Sequence, residues 1–188
     1  MAMTRGFEVV KKYQDQAIHL PKRATKHSAG YDIEAAEDIV IPSFWESAVK
    51  NVAKNWAPFR TYKDFGESID PEAMKPTLVP TGLKAYMPEN EYLQLTCRSS
   101  NPLKRNLMLP NGVGIIDSDY YNNEANEGEI FVQLLNFGFE PVEIKKGERI
   151  AQGIFLSYLT VADDQSLSLE RSGGFGSSGT HSLEKQDG

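Results

Sequence analysis

The sequence predicts an all-β fold, because short runs rich in β-branched and aromatic residues recur along the chain between turn residues. Turn signals such as Asn111-Gly112 and Lys145-Lys146-Gly147 fall at the spacing typical of a sandwich or jelly roll. A chain of 188 residues with 40% hydrophobic content can bury one core and is short for two ordinary domains. We therefore predict a single β domain over residues 1–161. Its predicted strands cover residues 7–10, 38–41, 77–79, 82–87, 92–97, 130–135, 142–144 and 150–156.

The composition limits the classes of partner. The formal net charge of -6 gives no general attraction for polynucleotides, so a phosphate site would have to be built locally from a few Arg, Lys and backbone groups. No stretch has the length of a membrane span, and the first residues lack the apolar run of a signal peptide. We expect a cytoplasmic protein without membrane or nucleic-acid partners. The single cysteine, Cys97, lies in an apolar alternating run and is expected to be a core residue rather than a nucleophile.

Residues 43–75 interrupt the β pattern. Apolar residues recur at helical spacing from Phe44 onward, and Ser43 with Glu46 has the pattern of a capping box. Pro58 ends the predicted helix, and the polar stretch after it contains another short helical turn. We predict a mainly helical insertion between two strands, with its apolar stripe buried.

The C-terminal end changes character again, since residues 162–170 are acidic and polar and residues 171–179 are rich in glycine. A disordered tail is one interpretation. The other is a flexible nucleotide lid, because glycine-rich backbone can direct several N–H groups at phosphate oxygens. Arg171 can add a charged contact and Phe175 can stack on a base. We interpret 162–188 as a tether, a lid over 171–179 and a disordered tail.

Two predicted strand ends carry candidate chemistry. Asp117 ends an apolar strand and is a candidate general base, whereas Asp119 is expected to lie in an acidic surface turn. Tyr120, which follows, could equally be a core residue. The segment Arg98-Ser99-Ser100 offers a guanidinium and two hydroxyls at the end of another strand. These groups could bind phosphate, and a solvated strand end is the alternative.

A third segment, Gly147 to Gln152, has the pattern of a turn leading into a strand. Arg149 most simply makes a structural ion pair there, and Gln152 could donate a hydrogen bond to a ligand. The histidines have neither the spacing of metal ligands nor a paired nucleophile. Zinc chemistry and a Ser/His/Asp triad are therefore unsupported.

In their order along the chain, these segments resemble the five motifs of the trimeric dUTPase family. The resemblance begins at Ala29-Gly30-Tyr31-Asp32-Ile33-Glu34-Ala35 and extends over nearly the whole chain. The chain resembles a bacterial or phage-type member that carries an insertion between the first and second motifs. The segments similar to the motifs are residues 29–35, 98–100, 114–120, 147–152 and 171–179.

The resemblance implies a dUTPase-type jelly-roll β-barrel and a reaction, the Mg²⁺-assisted hydrolysis of dUTP to dUMP and pyrophosphate. In the family this reaction limits the incorporation of uracil into DNA and supplies dUMP for dTMP synthesis. The resemblance also implies a homotrimer with active sites at the interfaces between chains. The lid of one chain closes over a neighbour's site.

The resemblance assigns roles to residues as well. Asp117 holds and deprotonates the water that attacks the α-phosphorus, and Asp32 contacts the hydrated Mg²⁺ ion through water. Asn111 and the backbone of the third motif recognise the uracil edge, and Tyr120 lies against the sugar. The residues expected to bind substrate are Arg98, Ser99, Ser100, Asn111, Gly114, Ile115, Ile116, Tyr120, Gln152, Arg171, Phe175, Gly176 and Ser177.

This chain departs from the family pattern, and two other functions stay open. Ser100 replaces a glycine of the second motif, and the chain after Tyr120 is several residues longer than usual. The dCTP deaminases share the fold and an Arg-Ser-Ser segment, but Leu103 and Gln133 stand where those enzymes have an arginine and the catalytic glutamate. The 43–75 insertion raises the third possibility, a regulatory protein partner.

Overall fold

The computed structural model of the chain describes residues 4–55 and 75–162. Within these ranges the polypeptide is predominantly β-strand, with two helices, α1 over Phe44–Asn55 and α2 over Ser100–Arg105. The strands, in chain order, are β1 Gly6–Val9, β2 Lys22–Arg23, β3 Tyr31–Glu34, β4 Ile39–Ile41, β5 Thr77–Pro80, β6 Leu83–Tyr86, β7 Glu91–Cys97, β8 Leu107–Met108, β9 Val113–Asp117, β10 Phe131–Asn136, β11 Val142–Ile144 and β12 Arg149–Ser157.

The strands form four sheets around one core. The largest has five strands in the order β2-β3-β12-β7-β9, and the others are β5-β10-β8, β1-β6 and β11-β4. All pairings within these sheets are antiparallel. Each sheet sends alternate apolar side chains to the same cluster, as the period of two in a strand requires. The fold is a jelly roll, as the turn spacing predicted. The most buried core side chains include Ile33, Ile41, Leu83, Leu93, Leu107, Ile130, Leu134, Ile144 and Ile150.

The predicted strands are confirmed to within a residue or two at their ends. The sequence did not single out three further strands, β2, β3 and β8, of which β2 and β8 have only two residues each. In β3 the two outward residues are Asp32 and Glu34, so only Ile33 reaches the core. Strands this short carry too few apolar positions for a period of two to be recognised.

The helix predicted after Ser43 is present as α1, and its capping residue is confirmed. The backbone N–H of Glu46 donates to Ser43 Oγ at 3.2 Å, and Ser43 Oγ donates to the carbonyl of Gly138 at 2.6 Å. The predicted burial of the apolar stripe is only partly observed, since Trp45 and Val49 are exposed in the single chain. The predicted helix end at Pro58 and the rest of the insertion to residue 74 lie outside the described residues. Across residues 4–55 and 75–162, no helix has the length and apolar character needed to cross a membrane.

Candidate active site

The outward face of the five-stranded sheet carries one row of side chains that crosses all five strands. Lys22 lies opposite Asp32, Asp32 opposite Gln152, Gln152 opposite Thr96, and Thr96 opposite Val113. Residues directly opposite one another in antiparallel strands share a face of the sheet. Residues that the sequence placed in separate motifs are therefore neighbours in this row.

Asp32 is the centre of this arrangement. Its carboxylate is nearly buried, at 7% exposure, and it accepts three hydrogen bonds from side chains. Arg98 Nε and Gln152 Nε2 donate to Oδ1 at 3.1 and 3.2 Å, and Arg149 Nη1 donates to Oδ2 at 3.1 Å. Two guanidinium groups thus surround one carboxylate, which leaves an excess of positive charge. The cluster is complementary to a ligand that carries several negative charges.

The ion pair predicted for Arg149 is confirmed, and a β-bulge explains how it forms. Arg149 lies opposite Glu34 and Ala151 opposite Ile33, so Ile150 is an extra residue in β12. Residues three apart in a regular strand face opposite sides of the sheet. The bulge restores a common face, and Arg149 and Gln152 both reach Asp32.

The segment that carries Arg98 leaves β7 and enters α2. The Arg98 side chain also donates to the carbonyl of Arg149 at 3.3 Å, which joins the two segments directly. Ser99 is exposed at the start of α2, and Ser100 is its first residue. Ser100 does not have a positive φ, so serine occupies this position without backbone strain. The helix was not predicted, because Asn101 and Pro102 in a strand-end segment favour a turn.

Asp117 lies at the end of β9, half-buried, as the sequence predicted. The hairpin before it contains Asn111, which is exposed and whose carbonyl accepts the N–H of Val113 at 2.8 Å. A Cβ on Gly114 would come within 3.3 Å of the Leu95 side chain, so the hairpin packs closely on β7 at this point. Ile115 is exposed, whereas Ile116 packs against the core.

Tyr120 is buried in the single chain. Its hydroxyl donates to the carbonyl of Glu129 at 3.0 Å and accepts from Asn126 Nδ2 at 2.8 Å. The loop over residues 121–128 therefore encloses the phenol, which agrees with the core interpretation of this tyrosine. Asp119 is exposed in a 3₁₀ turn, as the surface-turn interpretation predicted. The strand ends at Asp117, so the turn rather than strand alternation directs Asp119 away from Asp117.

Within one chain, Asp117 is far from Asp32. Asp117 lies opposite Tyr92 in β7, whereas the Asp32 row crosses β7 at Thr96. The offset is four residues along a strand and three strands across the sheet, roughly 20 Å in all. The structure thus brings together Asp32, Arg98 and Gln152, and it keeps Asp117 apart from them. The predicted lid residues Arg171, Phe175, Gly176 and Ser177 lie outside the described residues.

The chemistry of the described residues excludes some alternatives. Cys97 is half-buried and packs against the core, its thiol donates weakly to the carbonyl of Leu107 at 3.8 Å, and burial raises its pKa. A raised pKa disfavours the thiolate that a nucleophile requires. In the part of the chain that the structure describes, no group of three or more His, Cys, Asp or Glu residues could hold a metal ion by itself.

Sequence reasoning missed one residue of this region. Asn101 is 1% exposed, and its Nδ2 donates to the carbonyl of Ile150 at 2.7 Å. A polar residue directly after the Arg-Ser-Ser segment was the only signal, and nothing in the sequence connects residue 101 with residue 150. The Arg149 side chain was expected to make an ion pair, but its carboxylate partner was not predicted.

The fold is a jelly roll, and the cluster around Asp32 combines two guanidinium groups with one carboxylate. Sequence comparison identifies the family: the dUTPase family profile matches residues 67–179. A deoxyuridine 5'-triphosphate nucleotidohydrolase of Lactococcus lactis subsp. lactis is 47% identical over 176 residues, which cover 93% of this chain and 97% of that protein. The chain belongs to the dUTPase family.

Solved structures agree with this assignment. The crystal structure of dUTPase from Streptococcus mutans is similar with a TM-score of 0.64 and 40% sequence identity, and the match covers 83% of this chain and 98% of that chain. The dUTPase of phage phi11 of S. aureus, described with a species-specific insert, has a TM-score of 0.59 at 17% identity over 89% of this chain and 99% of that chain. At that identity the second match shows a shared fold alone.

Proposed function

We propose that this protein is a dUTP diphosphatase, which hydrolyses dUTP to dUMP and pyrophosphate by attack of water on the α-phosphorus. The observation that carries the proposal is the convergence of Arg98, Arg149 and Gln152 on Asp32, in a chain of the dUTPase family. In a cell this reaction keeps uracil out of DNA and provides dUMP for dTMP synthesis. A cytoplasmic location, near the nucleotide pools, is the matching expectation.

The cationic cluster would bind the triphosphate. Arg98 and Gln152 present N–H donors, and Ser99, which is exposed, follows Arg98 directly in the chain with Ser100 next. These donors stabilise the negative charge that develops on the phosphate oxygens as the bond to the leaving pyrophosphate breaks. Arg171 and Ser177 of the lid would add further contacts.

The residues around Asp32 fit a magnesium ion that arrives with the nucleotide. One carboxylate cannot hold Mg²⁺ by itself, but a hydrated ion bound mainly to phosphates needs only one such partner. Asp32 Oδ1 accepts two hydrogen bonds and Oδ2 one, so a carboxylate with about four acceptor positions retains room for a metal-bound water. When bound, Mg²⁺ neutralises phosphate charge and orients the triphosphate.

Asp117 would act as the general base. Its carboxylate accepts a proton from the attacking water, the water oxygen bonds to the α-phosphorus, and the bond to the bridging oxygen breaks, releasing pyrophosphate. The position at a strand end, half-buried, keeps the carboxylate in one place. The role therefore requires an α-phosphate beside Asp117.

The separation of Asp117 and Asp32 supports a site shared between chains. One nucleotide cannot place its α-phosphate beside Asp117 and its metal beside Asp32 when the two carboxylates lie roughly 20 Å apart. The two carboxylates at one site therefore come from different chains. The same sheet face carries exposed apolar side chains at Val113, which ends the row, and at Ile115 and Leu156 beyond it, and these side chains suit an interface. We propose a homotrimer with three such sites.

The proposed organisation of the chain follows from this assembly. The β domain over 1–161 builds the site, and the 162–188 segment is the tether, lid and tail. Phe175 and Gly176 of the lid would cover the nucleotide from a neighbouring chain.

Selection of uracil would come from the hairpin. The exposed amide of Asn111 and the backbone of Gly114, Ile115 and Ile116 can match the donor and acceptor pattern of the uracil edge, where cytosine presents the wrong pattern. A tight hairpin leaves no room for the methyl group of thymine. The aromatic ring of Tyr120 would exclude the 2′-hydroxyl of a ribose.

Two alternatives have less support. A dCTP deaminase would need charged groups at positions held here by Leu103, which is exposed, and Gln133, which lies in β10 opposite Leu78. A regulatory protein-binding role is favoured only by the exposure of Trp45 and Val49 in the insertion. A pull-down from the source cells with full-length chain and with residues 43–75 deleted would test the second role.

The proposed function is tested by product analysis. Purified protein with Mg²⁺ is given dUTP, dTTP, dCTP and UTP in parallel, and nucleotides and pyrophosphate are quantified by chromatography. We expect dUMP and pyrophosphate from dUTP, at a rate far above that with the other three nucleotides, and loss of the reaction with EDTA. Conversion of dCTP to dUTP, or no turnover of dUTP, would overturn the proposal.

A further inference from the structure

The bulge at the start of β12 leaves Ile150 without an opposite residue in β3. The extra residue of a bulge is unpaired, and here that residue, Ile150, is completely buried. A buried carbonyl without a hydrogen bond is unfavourable, so a donor from elsewhere is required. The preceding carbonyl, of Arg149, accepts the guanidinium of Arg98 at 3.3 Å.

Asn101 supplies the missing donor. Its Nδ2 lies 2.7 Å from the carbonyl oxygen of Ile150, and its side chain is itself 1% exposed. The backbone N–H of Asn101 donates to the carbonyl of Arg98 at 2.9 Å, which fixes the turn from β7 into α2. One residue thus connects the segment of Arg98 to the bulge that carries Arg149.

An amide is required at position 101 for its hydrogen-bond donor, Nδ2, and not for its acceptor, Oδ1. Among the described residues, Asn101 Oδ1 has no hydrogen-bond partner. A leucine of similar size would fill the same space without burying an unpaired oxygen, so the amide has a stability cost that an apolar residue avoids. The orientation of the amide is fixed, because a flip would bring Oδ1 against the Ile150 carbonyl.

The geometry points to Asn101 as a positioning residue for the dUTPase reaction. By holding the Ile150 carbonyl it maintains the bulge, and the bulge keeps Arg149 and Gln152 on one face, where both contact Asp32. Asn101 itself touches neither nucleotide nor metal in this scheme. This inference rests on the proposed hydrolysis of dUTP for its kinetic test and on the bulge geometry for its structural test.

The experiment compares Asn101→Leu and Asn101→Ala with the parent enzyme and a matched control, Asn136→Leu. Asn136 is also 1% exposed and also donates to carbonyls, those of Ile41 and Glu140, at 3.2 and 2.7 Å, but it lies in β10 away from Asp32. For each full-length variant we would measure thermal unfolding, kcat and KM for dUTP, and binding of the non-hydrolysable α,β-imido analogue of dUTP. A crystal structure of Asn101→Leu completes the set.

We expect kcat/KM to fall roughly 10- to 100-fold in the Asn101 variants, as is usual when contact groups are displaced by about an ångström. The Asn136→Leu control should lose thermal stability while the folded protein keeps kcat/KM within about twofold. Asn101→Leu should lower kcat/KM less in a Gln152→Ala background than in the parent enzyme, because the position of the Gln152 side chain no longer matters there. The crystal structure should show that Arg149 or Gln152 has left Asp32.

Three results would overturn the positioning role. These are unchanged kcat/KM in folded Asn101→Leu, full additivity with Gln152→Ala, or a crystal structure with both contacts to Asp32 intact. Failure of both Asn101 variants to fold would make the residue purely structural, which also overturns the inference. A parent enzyme that does not hydrolyse dUTP would contradict the proposed function instead, and the crystal structure would then decide the role of Asn101 alone.

Discussion

Gln152 packs directly against Gly30, so closely that the first segment of the site has no space for a side chain there. A Cβ on Gly30 would lie 3.1 Å from Gln152 Cβ and 3.2 Å from its Cδ. Gly30→Ala should therefore push Gln152 away from Asp32 and lower kcat/KM for dUTP about tenfold, with little change in melting temperature. Ala29→Ser, at an exposed neighbour, serves as the control. Equal kinetics for the two variants would contradict this account of Gly30.

Asp117→Asn should preserve folding and nucleotide binding and remove most turnover. The amide has nearly the same shape as the carboxylate but cannot accept the proton of the attacking water, and a general base typically contributes about 10²- to 10⁴-fold. The measurements are kcat for dUTP and the affinity for the imido analogue by calorimetry. Turnover within a few-fold of the parent would remove Asp117 from the catalytic role.

Mixing two inactive chains should restore activity if the site is shared. We expect Asp32→Asn to impair catalysis, since it leaves two guanidinium groups without their carboxylate. A trimer that contains Asp32→Asn and Asp117→Asn chains can combine an intact Asp32 from one chain with an intact Asp117 from another. About one site in four should be active in an equal mixture with random assembly. Activity no higher than the sum of the parents, after subunit exchange is verified by mass spectrometry, would mean that the site lies within one chain.

Truncation before Arg171 should leave a folded assembly with badly impaired catalysis. A lid would contact the bound nucleotide without being needed for the core, so we expect stability and activity to separate. Phe175→Ala should weaken binding of the imido analogue by roughly 1–3 kcal/mol if the ring stacks on the base. Phe175→Trp should retain activity and report binding by fluorescence. Full activity of the truncated enzyme would rule out a lid.

A partly buried ion pair between Lys84 and Glu127 of the 121–128 loop should make stability depend on pH. Lys84, which is nearly buried, donates to Glu127 at 2.7 Å, and this hydrogen bond holds the pKa of the Glu127 carboxyl below its usual range. A carboxyl whose pKa is lowered by folding stabilises the fold at pH values above its ordinary pKa. That stabilisation is lost as the pH falls through the lowered pKa of the folded state. Lys84→Met should therefore cost about 1–2 kcal/mol near pH 7, with the difference shrinking toward pH 3.

Urea unfolding of both proteins at several pH values measures that difference. Lys145→Met, which removes an exposed lysine paired with Asp38 and Glu143, is the control and should change stability little at any pH. A difference between Lys84→Met and the parent that stays constant from pH 7 to pH 3 would show that the Lys84 pair is not what titrates.

The sequence contains enough information for the fold because the longer strands obey a local rule. In β10 every second residue is buried, and in β7 the buried residues Leu93 and Leu95 follow the same period, which can be predicted from the neighbouring residues in the sequence. The helix α1 has an equally local signal, a capping residue followed by apolar positions at helical spacing. Elements of two to four residues, such as β2 and β3, lack the length for such a pattern.

The Asp32 cluster has no local signal. Its hydrogen bonds join residues 66, 117 and 120 positions apart in the sequence, and it depends on a bulge that adds one residue to β12. A bulge leaves no mark in composition or periodicity. The resemblance to a family indicated most of the residues at the site, but the strand registers were needed to show that Asp117 stands apart. The contact between Asn101 and Ile150 could be found only in three dimensions.

The distance between Asp32 and Asp117 has a consequence for how this enzyme would lose its activity. One chain buries its core by itself, but if the site is shared as proposed it holds only part of each site, so a correctly folded monomer would have no turnover. Dilution below the dissociation constant of the assembly would then inactivate the enzyme without unfolding the chains, and reassociation would restore the activity. The stability of the folded chain and the activity of the assembled enzyme would therefore be separate properties of this protein.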